Sequence, residues 1–198
     1  MPVTRGRRAD ARRNVTAILD AAVECLSRDP DASVADIAQA AGIGRVTLYG
    51  HFASRGELLD AVFSRAMRHA DAALDDLDIE GDPRQAMTAL IRSSWRIVSQ
   101  SRALLTAAQR GLPHGRVREL HEEPLRRIER LIERGREQGT FRADVPVPWL
   151  VATFFSVLHT AADEITAGRL DEAAAPHAIT GTLLAAFTPP GQPVPAPE

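Results

Sequence analysis

Apolar positions along this chain recur at spacings of three and four, the pattern of helices that each bury one face. The first stripe is Val15, Ile18, Leu19, Ala22, Val23 and Leu26. Asp10 is its expected N-cap and Asp29-Pro30 its stop, since a residue before proline avoids the helical region. Val34, Ile37, Ala38 and Ala41 form a shorter stripe, opened by Ser33 as N-cap with Asp36 in the first turn. Gly42-Ile43-Gly44 interrupts it, with Ile43 placed to plug the gap, and a third short helix runs from Arg45 to His51. Ser54-Arg55-Gly56-Glu57 is a capping box. Behind it Leu58, Leu59, Val62, Phe63, Ala66, Met67, Ala70, Leu74 and Leu77 predict a helix on the order of 20 residues, about 30 Å long.

Gly81-Asp82-Pro83 breaks the pattern, with Asp82 as N-cap and Pro83 at the first helical position. The next stripe is Met87, Leu90, Ile91, Trp95 and Val98; Ser101 is expected to cap a separate helix closed by Gly111-Leu112-Pro113. His114 to Gln138 is helical and highly charged, kinked or restarted at Pro124. Ile128, Leu131 and Ile132 give its buried stripe, and Arg126, Arg127, Glu129, Arg130, Glu133, Arg134 and Glu137 a solvated face. Gly139 caps it, and Phe141 packs after the turn. Pro146-Val147-Pro148 opens a helix whose Trp149, Leu150, Val151, Phe154, Phe155, Val157 and Leu158 cover nearly all faces. Such a helix is buried on several sides, one toward the domain core and one toward a partner subunit. Leu170 to Phe187 holds the last helix, beginning late if Pro176 sits in its first turn, with Ile179, Leu183, Leu184 and Phe187 as its stripe. The tail from Thr188 is Pro-rich, as in disordered or polyproline segments.

The fold class is therefore all-α, and the chemistry concentrates in the third short helix. Arg45, Thr47, Tyr49 and His51 crowd hydrogen-bonding groups onto one short stretch, with Val46 among them. A helix entering a DNA major groove needs such groups, because base edges there offer donors, acceptors and the thymine methyl. Arg45 and Thr47 are candidates for base edges; Tyr49, His51 and Ser33 for phosphate. Tyr49 and His51 have packing within the domain as the alternative, and Phe52 belongs to the core. Arg5, Arg7, Arg8, Arg12 and Arg13, against Asp10 alone, make a basic arm suited to phosphate or the minor groove, with a plain solvated tail as the alternative.

The run DIAQAAGIGRVTLYGHFASRGELL resembles the DNA-binding domain of the TetR family of bacterial transcriptional repressors. The matching positions are Asp36-Ile37-Ala38, Ala41-Gly42, Thr47-Leu48-Tyr49, His51-Phe52, Ser54 and Leu58-Leu59. Gly44 departs from the family's usual Ser or Thr cap and Gly50 from a larger side chain, while Arg55 replaces the usual Lys and keeps the charge, so that it too is a candidate to hold phosphate. The resemblance implies an N-terminal three-helix helix-turn-helix domain and a larger C-terminal helical domain for ligand binding and dimerisation. The expected division is 1–9 basic flexible arm, 10–53 helix-turn-helix domain, 54–80 connecting helix, 81–187 ligand-binding and dimerisation domain, and 188–198 disordered tail. The connecting helix would carry a ligand signal as a rigid rod.

The resemblance further implies a homodimer on a near-palindromic double-stranded operator, released by a small-molecule effector, acting as a repressor. Met67, Met87, Trp95, Phe154 and His159 are the candidate pocket, with a plain core position the better reading of each taken singly; Phe155, Leu158, Leu183, Leu184 and Phe187 are the candidate dimer interface. An activator or a nucleoid-associated protein with the same domain is the alternative, and a helical-bundle enzyme a more distant one.

Composition narrows this little. The chain has 198 residues, 44% hydrophobic and 25% charged, enough for one large or two small cores. A net charge of −2 does not announce nucleic-acid binding; the clustering of arginines at the N-terminus does more, and the 24 basic residues are all arginine. The lone Cys25 excludes an internal disulfide, suits a reducing cytoplasm, and fits a small core position. No apolar h-region follows the basic start, and no apolar run spans a bilayer. His51, His69, His114, His121, His159 and His177 show no metal-ligand spacing, and no phosphate loop or nucleophile elbow appears. His121-Glu122-Glu123 and His159 to Glu164 are better explained as surface and core. No cofactor or metal, no membrane and no catalysis are expected.

Overall fold

In the computed structural model, which describes residues 3–77 and 79–196, every regular element is a helix. In chain order these are α1 (Val3–Arg28), α2 (Val34–Ala40), α3 (Arg45–Tyr49), α4 (Arg55–Asp75), α5 (Pro83–Gly111), α6 (Arg116–Leu120), α7 (Glu122–Glu137), α8 (Val147–Thr166) and α9 (Ala175–Phe187). The chain divides into two compact units. The first is Met1–Arg68 with Ser101–Leu120; the second is His69–Gln100 with His121–Glu198. Both α4 and α5 continue from one unit into the other.

The first unit closes over Ile18, Ala22, Leu26, Ile37, Leu48, Leu58, Val62 and Phe63, joined by Leu104, Ala107 and Ala108 from the end of α5. Arg110 holds Asp31 through both carboxylate oxygens, at 2.9 and 3.1 Å, and Arg116 holds Asp60. The second unit closes over Met87, Leu90, Ile91, Trp95, Ile128, Leu131, Phe154, Leu158, Ile179, Leu183 and Phe187. Thr188 is buried and its hydroxyl donates to Leu184 O at 2.7 Å.

Several expectations change. Helix α1 begins at Val3, ahead of Asp10, where an arm and then a cap were expected. Arginine and alanine are strong helix formers, and the single Gly6 costs only about 1 kcal/mol, so nothing stops the helix there. No break occurs at Ser101: α5 runs through it for 29 residues. A serine needs a preceding non-helical residue to act as a cap, and no Gly or Pro supplies one. The restart expected at Pro124 does occur: α6 ends at Leu120 and α7 opens at Glu122, with Pro124 in its first turn, where its missing N–H has no partner to lose.

Arg127, expected on the solvated face of α7, is 8% exposed. It stands one turn before Leu131, on the edge of the buried stripe. Its stem covers apolar surface, while Nη2 donates to Asp71 at 2.8 Å and Asp75 at 2.6 Å.

Gly135 leaves no room for a side chain. A Cβ there would lie 2.1 Å from Cδ2 and 2.5 Å from Cε2 of the buried Phe141 ring. Gly135→Ala should therefore destabilise the protein by about 1–3 kcal/mol, read as a lower Tm in calorimetry. An unchanged Tm would mean that the ring moves aside freely.

Candidate nucleic-acid interface

The site is built on α2, the turn after it, and α3. Ser33 caps α2 reciprocally: its Oγ accepts the Asp36 N–H at 3.2 Å, and the Asp36 carboxylate accepts the Ser33 N–H at 2.8 Å. At its far end α2 stops on Gly42, whose φ of 67° only glycine adopts cheaply. Ile43 N–H then bonds Ala38 O and Gly42 N–H bonds Gln39 O, each at 3.0 Å, the paired bonds of a Schellman turn. Ile43, half-buried, packs against the first core and fixes the direction in which α3 leaves.

Helix α3 has five residues and, at Gly44, no side-chain cap, as the sequence implied. Leu48, 1% exposed, pins it to the core. That leaves its other side chains outside. Arg45 and Thr47 are exposed, Val46 is 88% exposed and Tyr49 43% exposed. These four share one outward surface of a single turn of helix, a surface of donors around one bare apolar group.

The remaining candidates are placed differently. Ser33 is exposed, but its hydroxyl is already engaged with Asp36. His51 is half-buried, and Phe52 lies in the core. Arg55 is half-buried and its guanidinium donates to the carbonyls of Ala32 and Pro30, tying the start of α4 to the loop before α2. Arg13 is exposed on α1; the Arg12 side chain, like those of the other arginines before it, lies outside the described residues.

In the second unit Met87, Trp95 and Phe154 are buried together, and His159 is half-buried on α8. Burial first, and the His121 imidazole second, hold the His159 imidazole below its ordinary pKa, against a smaller opposite pull from Asp163. Phe155 stacks on His159 and meets His121 edge-on. Met67 does not join this group; it packs against the core of the first unit.

Four of the expected dimer contacts need correcting. Leu158, Leu183, Leu184 and Phe187 are buried in the chain's own core, and Phe155 is half-buried. An apolar stripe is claimed first by the nearest core, so it marks the inside of a helix rather than its free face. Sequence reasoning also missed the exposure of Trp149, 66% exposed although its neighbours Leu150 and Val151 are buried. Among the described residues no helix is long and apolar enough to cross a membrane. No group of three or more His, Cys, Asp or Glu could hold a metal ion, again among the described residues.

With this geometry in hand, residues 18–62 match the family model of the bacterial regulatory proteins of the tetR family. The match covers the helix-turn-helix, so this part of the chain is similar to regulators of the TetR family. The chain is 38% identical over 81 residues to the HTH-type transcriptional repressor LfrR of Mycolicibacterium smegmatis, a stretch covering 41% of each protein. The whole fold is shared more widely. A TetR-family transcriptional regulator from Agrobacterium tumefaciens, 24% identical, superposes with a TM-score of 0.71 over 90% of this chain and 99% of its own. The transcriptional regulator FadR of Bacillus subtilis, in complex with stearoyl-CoA, is 17% identical with a TM-score of 0.72, over 87% of this chain and 98% of its own.

The cap of α2 carries a pH signature. The Ser33 hydroxyl first, and its backbone N–H second, hold the Asp36 carboxyl below the usual carboxylate value. A lowered folded-state pKa means stability present above the unfolded value, near pH 4, and lost as pH falls through the folded value. Asp36→Asn should therefore lower the urea midpoint near neutral pH, and the gap to the unaltered chain should narrow below about pH 4. A gap independent of pH would mean that the carboxylate charge contributes nothing.

Proposed function

We propose that this protein is a ligand-responsive transcriptional repressor that binds a near-palindromic DNA operator as a homodimer. The observation that carries the reading is α3, held by one buried leucine with Arg45, Val46, Thr47 and Tyr49 turned out together. Arg45 and Thr47 read base edges, Val46 meets a thymine methyl, and Tyr49 holds phosphate. Ser33 and Arg55, engaged within the domain, shape the reading head rather than touch DNA. The family of the helix-turn-helix and the repressor LfrR among the relatives support this assignment.

The second unit receives the effector. An amphipathic organic molecule suits it: Met87, Trp95 and Phe154 offer apolar side chains from the core, and His159, held below its ordinary pKa by burial, a polar handle. FadR of Bacillus subtilis, a protein of the same fold, was seen with stearoyl-CoA, itself amphipathic. The effector releases the operator by binding one of two states more tightly. The dimer forms through the outward faces of α8 and α9, and the protein works in the cytoplasm, where Cys25 stays a thiol.

Fluorescence anisotropy on DNA from upstream of its own gene, titrated at several salt concentrations, tests this. We expect saturation at two chains per site and a steep fall of affinity with salt. Arg45→Ala should weaken binding by about tenfold or more and relax sequence preference. Binding without preference over random DNA would sink the reading of α3 as a recognition helix.

A further inference from the structure

The outward faces of α8 and α9 hold one exposed knob and one open groove. The knob is Trp149, in the first turn of α8. The groove, about 350 Å³, lies further along the same helix and against α9; Ser156, Thr160, Glu164, Ala178, Ile179 and Thr182 are among its walls. That is room for roughly a dozen waters, bounded mostly by apolar surface. Residues 149, 153, 156 and 160 recur at helical spacing, so knob and groove lie on one stripe of α8.

We propose that Trp149 of each chain seats in this groove of a second copy, and that this exchange anchors the dimer. The proposal rests on the dimer reading above and names its contact. Three observations favour a second copy over any other occupant. First, a two-fold interface must be self-complementary, with each contact made twice. A knob and its hole on the same face meet that requirement; an unrelated partner would account for only one of them. Second, the distance suits an antiparallel pair. From Trp149 to Thr160 is about 16 Å along the helix. A two-fold axis midway falls among Ala152, Thr153 and Ser156, whose small side chains let two helices approach closely. Third, the face carries little fixed charge: the carboxylate at the groove, Glu164, is already paired with Arg169 of the same chain. One residue in four of the chain is charged, yet 147–162 and α9 contain no Asp, Glu, Lys or Arg. A solvated face has no reason to avoid charge; a face that becomes buried does.

Inside the groove the indole ring exchanges water for apolar wall, and the Ser156 and Thr160 hydroxyls stand where its N–H needs an acceptor. A tryptophan seated at an interface centre is the residue type on which binding energy concentrates.

The test is sedimentation equilibrium of the full chain over a dilution series, with Trp149→Ala, Ala178→Phe and the double variant alongside. All replace exposed residues, and circular dichroism checks that each folds. We expect Trp149→Ala to raise the dimer dissociation constant by about 30-fold or more. Ala178→Phe fills the groove from within and should do the same. The double variant should be little worse than either single one, because each change removes one contact. Acrylamide quenching of the unaltered chain should rise on dilution, as Trp149 leaves its seat while Trp95 stays buried. A dimer indifferent to Trp149→Ala, or losses that simply add, would overturn the seat and leave the dimer. A monomer at every concentration would leave the groove to another occupant and overturn both.

Discussion

A helix of five residues does not hold its own shape in water. Nucleating a helix fixes several dihedrals for one hydrogen bond, so short helices depend on what they pack against. For α3 the dependence is acute, since Gly44 gives it no side-chain cap, a loss of a few tenths to about 1 kcal/mol. What replaces the cap is Leu48, whose burial stabilises by about 2 kcal/mol, and the Schellman turn that sets the entry angle. The outward display of Arg45, Val46, Thr47 and Tyr49 follows from where Leu48 points. Val46, left almost wholly in water, gains nothing in the free protein; its exposure makes physical sense on a surface that is covered when the protein works.

Charge is distributed by the same logic. The net charge of −2 would suggest indifference to DNA, and so would a simple count of arginines. Several arginines of the first unit are committed elsewhere: Arg55 to two backbone carbonyls, Arg65 to Asp20, Arg110 to Asp31 and Arg116 to Asp60. These contacts draw loops and helix ends together, and the surface pairs among them contribute little energy individually. Arg45 has no such carboxylate among the described residues. Arg45 thus keeps its charge exposed at the start of α3, which no sum over the sequence identifies.

Much of this was legible in the sequence because it is local. The Ser33 cap, the turn at Gly42, the caps at Ser54 and Asp82 and the stop at Gly139 depend on residues within one helical turn, and all stand in the structure. The run through Ser101 and the start at Val3 were misread because caps are recognised by the residues that break the chain, and there were none. Arg127 and the pair Leu158 and Leu183 show the other failure. Periodicity says that a side chain leaves water but not what covers it. Arg127 is covered because Asp71 and Asp75 meet it, a fact more than fifty residues away in sequence. Leu158 and Leu183 are covered by their own core, so the free face of α8 had to be found by exposure.

That free face bears on the DNA reading as well. One turn of α3 offers at most a few base-edge contacts, each worth about 1–3 kcal/mol, on top of a modest set of phosphate contacts. The ordering and immobilisation that binding requires consume several kcal/mol of that, so a single copy would grip an operator weakly. Joining two copies makes the second half-site contact intramolecular, which raises affinity by orders of magnitude without any new contact on α3. On the proposed reading of α3, its smallness thus asks for a strong dimer elsewhere in the chain. A face poor in charge, with a tryptophan on it and a groove beside it, carried on the two helices richest in apolar residues, is where such a dimer has something to hold.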